Sequence, residues 1–237
     1  VGAICAHCSN GCKVTLGIRD RQIVRGNNRD RSGINGEFLC IKGRYGFDFN
    51  NHPERLQAPL LRVNGKLEET SWAKALAAVG RKFREVRDRG GKFGIVGSTR
   101  TTNEENFLLQ KFARRQLGSN NIDHHRSGDL VTLLDALHGR TDVLATTAGL
   151  YGRKAMLIVS SDLARQHPLL SYQIRASWRH FNASVYTVTV GPVREDKYSA
   201  AQVRVMPGQE LEGVESLSER QKKEPELVIL FGAAIQG

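Results

Sequence analysis

The side chains best suited to chemistry in this 237-residue sequence are its four cysteines, all within the first forty positions. Cys5, Cys8 and Cys12 form C-x2-C-x3-C, and 27 residues separate Cys12 from Cys40. Clustering this tight calls for a shared ligand or an oxidising compartment. Disulfides fit least, because a chain of this length buries a core without covalent staples. Cysteines three or four residues apart would also close small strained rings. Four thiolates do make a tetrahedral zinc site, but structural zinc sites usually take two ligands from each of two C-x2-4-C knuckles. Here the split is three and one. A loop of three thiolates closed by a remote fourth suits a [4Fe-4S] cubane. Spacing favours the cubane and leaves zinc or inert buried cysteines open.

The neighbours point the same way. Lys13, Lys42 and Arg44 flank the cysteines and would offset the negative charge of a thiolate-ligated cluster. Gly11 and Gly43 would let backbone N–H groups approach the sulfurs, which tunes reduction potential. The run from Lys42 to Phe49 reads as a short helix whose aromatics, Tyr45, Phe47 and Phe49, would cover the cluster or join an ordinary core.

Cys5-x2-Cys8-x3-Cys12 followed by Cys40-Ile41-Lys42-Gly43-Arg44-Tyr45-Gly46-Phe47-Asp48-Phe49 resembles the cluster domain of the molybdopterin oxidoreductases. That superfamily includes formate dehydrogenases, periplasmic nitrate reductases and the large iron–sulfur subunit of NADH:quinone oxidoreductase. Arg55-Leu56-x-x-Pro59-Leu60-x-Arg62 before Ser71-Trp72 is similar to the family as well. The resemblance implies a [4Fe-4S] cluster on Cys5, Cys8, Cys12 and Cys40. In molybdenum-containing members the lysine matching Lys42 lies between cluster and pterin; otherwise Lys42 is a charge-balancing neighbour.

Composition sets outer bounds. Hydrophobic residues at 40% and charged residues at 25% are ordinary for a globular protein. No apolar run approaches the length of a membrane span, so any membrane role would go through partners. Lysine and arginine exceed the acids by 35 − 24 = 11, and the pI is about 9.8. The charge is interleaved with acids, as on a solvated surface. A zinc-bearing nucleic-acid-binding protein is the competing class, but with 7% aromatics, most in the expected core, the sequence lacks a base-stacking surface.

The elements that must position the cysteines follow from local pattern. Val14–Ile18 and Arg21–Arg25 read as a hairpin turning at Arg19-Asp20, and a Gly/Asn/Asp-rich loop over 26–36 returns the chain to Cys40. Asn64-Gly65 marks a second hairpin. From Thr70 helix and strand patterns alternate: a helix to about Asp88 with Ala75, Leu76, Val79, Phe83 and Val86 inward, and a buried strand Phe93–Gly97. A helix capped by Thr102 and Glu105 then runs to Leu117, with Phe107, Leu108 and Phe112 inward. Strands are expected at Asn121–His124, Ala155–Val159, Val185–Val190, Gln202–Val205 (at an edge) and Glu226–Phe231. Helices are expected near 130–138, 169–181 and 209–221. The fold class is α/β: a small β-rich cluster domain over 1–60, then an open doubly wound, mostly parallel sheet over 61–237. The last strand has no following element, and we expect a piece of a larger protein.

Ligands in such sheets bind beyond the carboxyl ends of the strands. Ser98, Ser160, Asp162 and Gly208 are the candidates there. The first lies before a helix start, where N–H groups favour anions, although a plain capped helix explains it as well. In the resembling family these loops border a molybdopterin dinucleotide, and Met206-Pro207-Gly208-Gln209-Glu210 is similar to its P-G-x-D stretch. Ser160-Ser161-Asp162 stands where many members have Gly-x-Asn. Active members supply a metal ligand near positions 123–129, where this chain offers only Ser127 and Asp129, beside His124-His125, and no cysteine follows Cys40. The resemblance therefore implies an electron-transfer part of an NADH:quinone oxidoreductase without molybdenum chemistry of its own. Its partners would be other subunits of a membrane-associated respiratory complex, at the cytoplasmic face of the membrane. The alternative is the N-terminal part of a molybdopterin-dependent dehydrogenase.

Overall fold

The computed structural model describes residues 1–124 and 130–232. Strand β1 (Gly2–Ile4) precedes the first three cysteines, and β2 (Lys13–Arg19) and β3 (Gln22–Asn27) follow them. They form a three-stranded sheet in the order β1-β2-β3, with β1 and β2 antiparallel. Asp20 and Arg21 both take positive φ at the β2–β3 turn. Helix α1 (Ile41–Tyr45) starts directly after Cys40, and the short α2 (Asp48–Asn51) follows it. The single helix expected over 42–49 is therefore broken, and Tyr45 and Phe49 are exposed.

Strands β4 (Leu60–Val63) and β5 (Lys66–Glu69) pair antiparallel around Asn64-Gly65, both at positive φ as a tight hairpin turn requires. Helix α3 (Trp72–Asp88) is capped by Ser71, whose hydroxyl accepts from the Lys74 N–H. Strand β6 (Ile95–Gly97), helix α4 (Asn103–Gln116) and β7 (Ile122–His124) follow, with β6 and β7 paired parallel. Thr102 and Glu105 close the expected capping box at α4. The expected inward faces are only partly buried here: Leu76 and Val79 on α3, Phe107 and Leu108 on α4, and Val96 on β6 are all exposed. Among the described residues this ladder has two strands, which offer little surface to cover the apolar faces of two helices. Phe83, packed against Phe93 and Phe112, is the aromatic centre of this region.

Beyond α5 (Leu130–Leu137) come β8 (Ala155–Val159), α6 (Leu163–Gln166), α7 (Pro168–Phe181), β9 (Ser184–Thr189) and β10 (Ala201–Arg204). Helices α8 (Glu210–Glu215) and α9 (Glu219–Lys222) and strand β11 (Leu227–Phe231) complete the described chain. The single helix expected over 209–221 is split, because Ser218 accepts from the Gln221 N–H and caps a new start. These four strands form one all-parallel sheet in the order β10-β9-β8-β11, with β10 at an edge as expected.

Side-chain alternation explains why the sheet is covered on both faces. Ala155, Leu157 and Val159 of β8 point one way and pack with Tyr186, Val188 and Leu217. Met156 and Ile158 point the other way, into Leu163, Ile174 and Val185. A central parallel strand between two helical layers must be apolar at every position, and all five residues of β8 are buried.

The chain divides into two compact units. One comprises 1–16, 26–44 and 126–237, holding all four cysteines and the four-stranded sheet; the other comprises 17–25 and 45–125, with the β6–β7 ladder. No helix among the described residues is long and apolar enough to cross a membrane.

Candidate metal centre

The β1–β2 register builds the first half of the centre. Gly2 pairs with Thr15, Ala3 with Val14 and Ile4 with Lys13, so the next step sets Cys5 opposite Cys12. The Cys5 N–H donates to the Cys12 carbonyl at 2.8 Å, extending the ladder by that step. Between them Ser9 and Gly11 take φ of 61° and 74°, which turns the loop back and keeps Cys8 with its neighbours.

Cys40 arrives from the other direction. Its carbonyl accepts the Arg44 N–H at 3.0 Å, opening α1, and the Gly43 N–H points at its sulfur at 3.5 Å. A Cβ on Gly43 would stand 3.5 Å from the Cys5 sulfur and 3.3 Å from Leu39, so the missing side chain lets α1 approach Cys5. Gly26 does the same from β3: a Cβ there would stand 3.0 Å from the Gly43 and Arg44 carbonyls.

Two buried asparagines, read in the sequence only as loop formers, brace the returning segment. Asn35 accepts the Lys13 N–H and donates to the Lys13 and Phe38 carbonyls at 3.0 and 2.7 Å. Asn28 donates to the Ser32 and Gly36 carbonyls. Phe38 stacks on Tyr172 of α7 with ring centroids 4.2 Å apart, tying the Cys40 segment to the helix beside the large sheet.

The four thiols are unpaired and half-buried. Burial raises the Cys5 thiol, with smaller contributions from Cys40 and Cys8. Cys12 is pushed up to about 11, first by burial and then by Cys8, Cys5 and Cys40. Each of these thiolates, once formed, would make its neighbours harder to ionise. Among the described residues no three His, Cys, Asp or Glu side chains are disposed to hold a single metal ion. Lys13, expected to offset cluster charge, is committed elsewhere: its ammonium pairs with Asp30 and donates to Ser32. That pairing holds the Asp30 carboxyl below its ordinary range. Lys42 is exposed on α1.

The other expected site residues are dispersed. Ser98 lies after β6 in the second unit, its hydroxyl accepting from the Arg100 N–H at 3.1 Å. Ser160 ends β8 at φ 43°, is buried, and donates to Glu210 at 3.0 Å. Asp162 caps α6 and pairs with Arg165. Gly208 sits at φ 88° in the turn before α8. The structure thus joins Ser160 to Glu210, which sequence reasoning passed over as a departure from a motif. Ser127, Asp129 and His125 lie outside the described residues.

Comparison with known families places this arrangement. Residues 55–237 match the molybdopterin oxidoreductase family, and residues 1–52 match the molybdopterin oxidoreductase Fe4S4 domain. The chain belongs to the molybdopterin oxidoreductase family, and the cysteine segment is its iron–sulfur domain. It is 30% identical over 213 residues to an F420-dependent formate dehydrogenase subunit alpha of Methanocaldococcus jannaschii, covering 88% of this chain and 31% of that protein. It is 28% identical over 212 residues to an NADH-quinone oxidoreductase subunit of Rhizobium meliloti, covering 87% of this chain and 24% of that protein. The chain thus spans less than a third of the length of each. Acetylene hydratase from Pelobacter acetylenicus shares the fold, with a TM-score of 0.66 at 15% identity over 88% of this chain and 30% of that one.

Proposed function

We propose that Cys5, Cys8, Cys12 and Cys40 hold one [4Fe-4S] cluster and that the chain serves as a one-electron relay. The observation that carries this reading is the strand register that sets Cys5 beside Cys12, with Gly43 admitting the Cys40 helix to the same place. The match of residues 1–52 to an Fe4S4 domain supports it. When bound, such a cluster accepts and releases single electrons at a potential set by its surroundings. The protein's part is to give up four thiol protons on assembly, shield the sulfurs and offer them N–H donors. Lys42 adds an exposed positive charge beside Cys40.

We further propose that residues 1–60 act as the cluster domain and 61–237 as a scaffold within an NADH:quinone oxidoreductase. It would work with other subunits of a membrane-associated respiratory complex at the cytoplasmic face. The lack of any cysteine after Cys40 and the likeness to an NADH-quinone oxidoreductase subunit support this. The second reading, the N-terminal part of a molybdopterin-dependent formate dehydrogenase, draws on relatives of that name at 30–33% identity.

Anaerobic reconstitution of the chain tests the relay. About four irons and four sulfides per chain, with the EPR signal of a reduced cubane, are expected. Cys40→Ser should lose most of the iron. Stoichiometric zinc in anaerobically purified protein, or full iron in all four Cys→Ser variants, would sink the proposal. Metal and pterin analysis of the full-length protein separates the two finer readings.

A further inference from the structure

Within the Cys8–Cys12 loop one polar atom has no structural employment. The Asn10 side-chain nitrogen Nδ2 is sealed from solvent and makes no hydrogen bond that meets full geometry. Leaving a buried amide donor unpaired costs about 1–3 kcal/mol, so such a group is expected to face a partner. The left-handed backbone at Ser9 and Gly11, on either side, folds the loop around Asn10. Asn10 stands two residues from each of Cys8 and Cys12, inside the loop that carries their sulfurs.

We propose that Asn10 is a positioning residue for the cluster: its Nδ2–H donates to the Cys12 sulfur of the loaded protein and raises the reduction potential. The proposal rests on the reading that the four cysteines hold a [4Fe-4S] cluster. A metal-bound thiolate is a stronger acceptor than a thiol and gives Nδ2 the partner it lacks. Adding one electron makes the sulfurs more negative and strengthens every N–H···S contact, so the donor stabilises the reduced state more than the oxidised one. A further donor points at the ligands, the Gly43 N–H at Cys40. It is a main-chain group that a side-chain change leaves in place. Asn10 is the donor that substitution removes.

The test is an EPR-monitored redox titration with dithionite on the full reconstituted chain, comparing wild type, Asn10→Ala and Asn10→Asp. Both variants should hold wild-type iron and titrate at a more negative potential. At the wild-type midpoint their reduced-to-oxidised ratio should fall about three- to tenfold, where tenfold corresponds to about 59 mV for one electron. Asn10→Asp, similar in shape but lacking the N–H, should shift further. If Asn10 only shapes the turn, iron content falls while the loaded fraction keeps its midpoint, and the proposal is overturned. If neither variant loads, the wild type labelled with 15N-asparagine decides: a hyperfine coupling between the reduced cluster and a side-chain 15N supports the proposal, and its absence refutes it. A wild-type chain that binds no iron would instead refute the cluster reading, so the two failures are distinct.

Discussion

Two parallel ladders in this chain begin from similar letters and end differently. Ala155-Met156-Leu157-Ile158-Val159 and Phe93-Gly94-Ile95-Val96-Gly97 both read as buried strands. The first is buried at every position, at the centre of four strands with a core on each face. The second shrinks to Ile95–Gly97, pairs among the described residues only with β7, and leaves Val96 74% exposed. Around it Leu76 on α3 and Leu108 on α4 are 63% and 60% exposed. Period and composition describe what a strand can bury; the number of neighbouring strands decides what it does bury. The four-stranded sheet is held by packing. Caps and a small aromatic cluster have a larger share in the β6–β7 region.

The comparison breaks first, if it is wrong, at Ile158. Its side chain is fully buried among Leu163, Ile174 and Val185. Ile158→Ala should destabilise the four-stranded unit by about 2–5 kcal/mol, read as a lower urea midpoint followed by the tryptophan or far-UV signal. A loss below about 1 kcal/mol would mean that this core relaxes freely and is not the packed region described.

How much of this was legible varies with the range of the interaction. Local signals carried well: the Thr102/Glu105 capping box, the Asn64-Gly65 turn and the bounds of β8 all stand where pattern placed them. The cysteine spacing picked out the segment that matches an Fe4S4 domain. The asparagines that brace the returning segment were hidden, because Asn28 and Asn35 look like any loop asparagines until their partners are known. β1 was missed for a related reason: three residues carry no period, and only the pairing with β2 makes them a strand. Lys13 was assigned to the cluster on adjacency, yet Asp30, seventeen residues on, takes its charge. Ser160 shows the same limit at the backbone level, since nothing about a serine announces φ of 43°.

A smaller effect sharpens the claim about caps. The Thr102 hydroxyl accepts the Glu105 N–H at 3.1 Å, and the Glu105 carboxylate accepts the Thr102 N–H at 2.7 Å. Thr102→Ala should cost about 0.5–2 kcal/mol, seen as faster hydrogen exchange in the first turns of α4 with β8 unchanged. Equal loosening of both regions would refute the claim that the cap holds α4 locally.

The smallest expected effect is the most discriminating, because it makes one chemical change in both ladders. Valine and threonine are both β-branched and nearly isosteric, so exchanging them leaves strand propensity almost untouched and tests burial of a hydroxyl. At Val185 of β9, 1% exposed between strand neighbours and α7, the new hydroxyl would be taken out of water beside apolar side chains. Val185→Thr should cost about 1–3 kcal/mol. At Val96 the hydroxyl would meet solvent, and Val96→Thr should stay within about 0.5 kcal/mol of the parent. Urea midpoints of the two variants give the ratio directly. If Val96→Thr costs as much as Val185→Thr, the outer face of β6 is covered in solution, and the contrast between the two ladders fails at the residue that displays it most plainly.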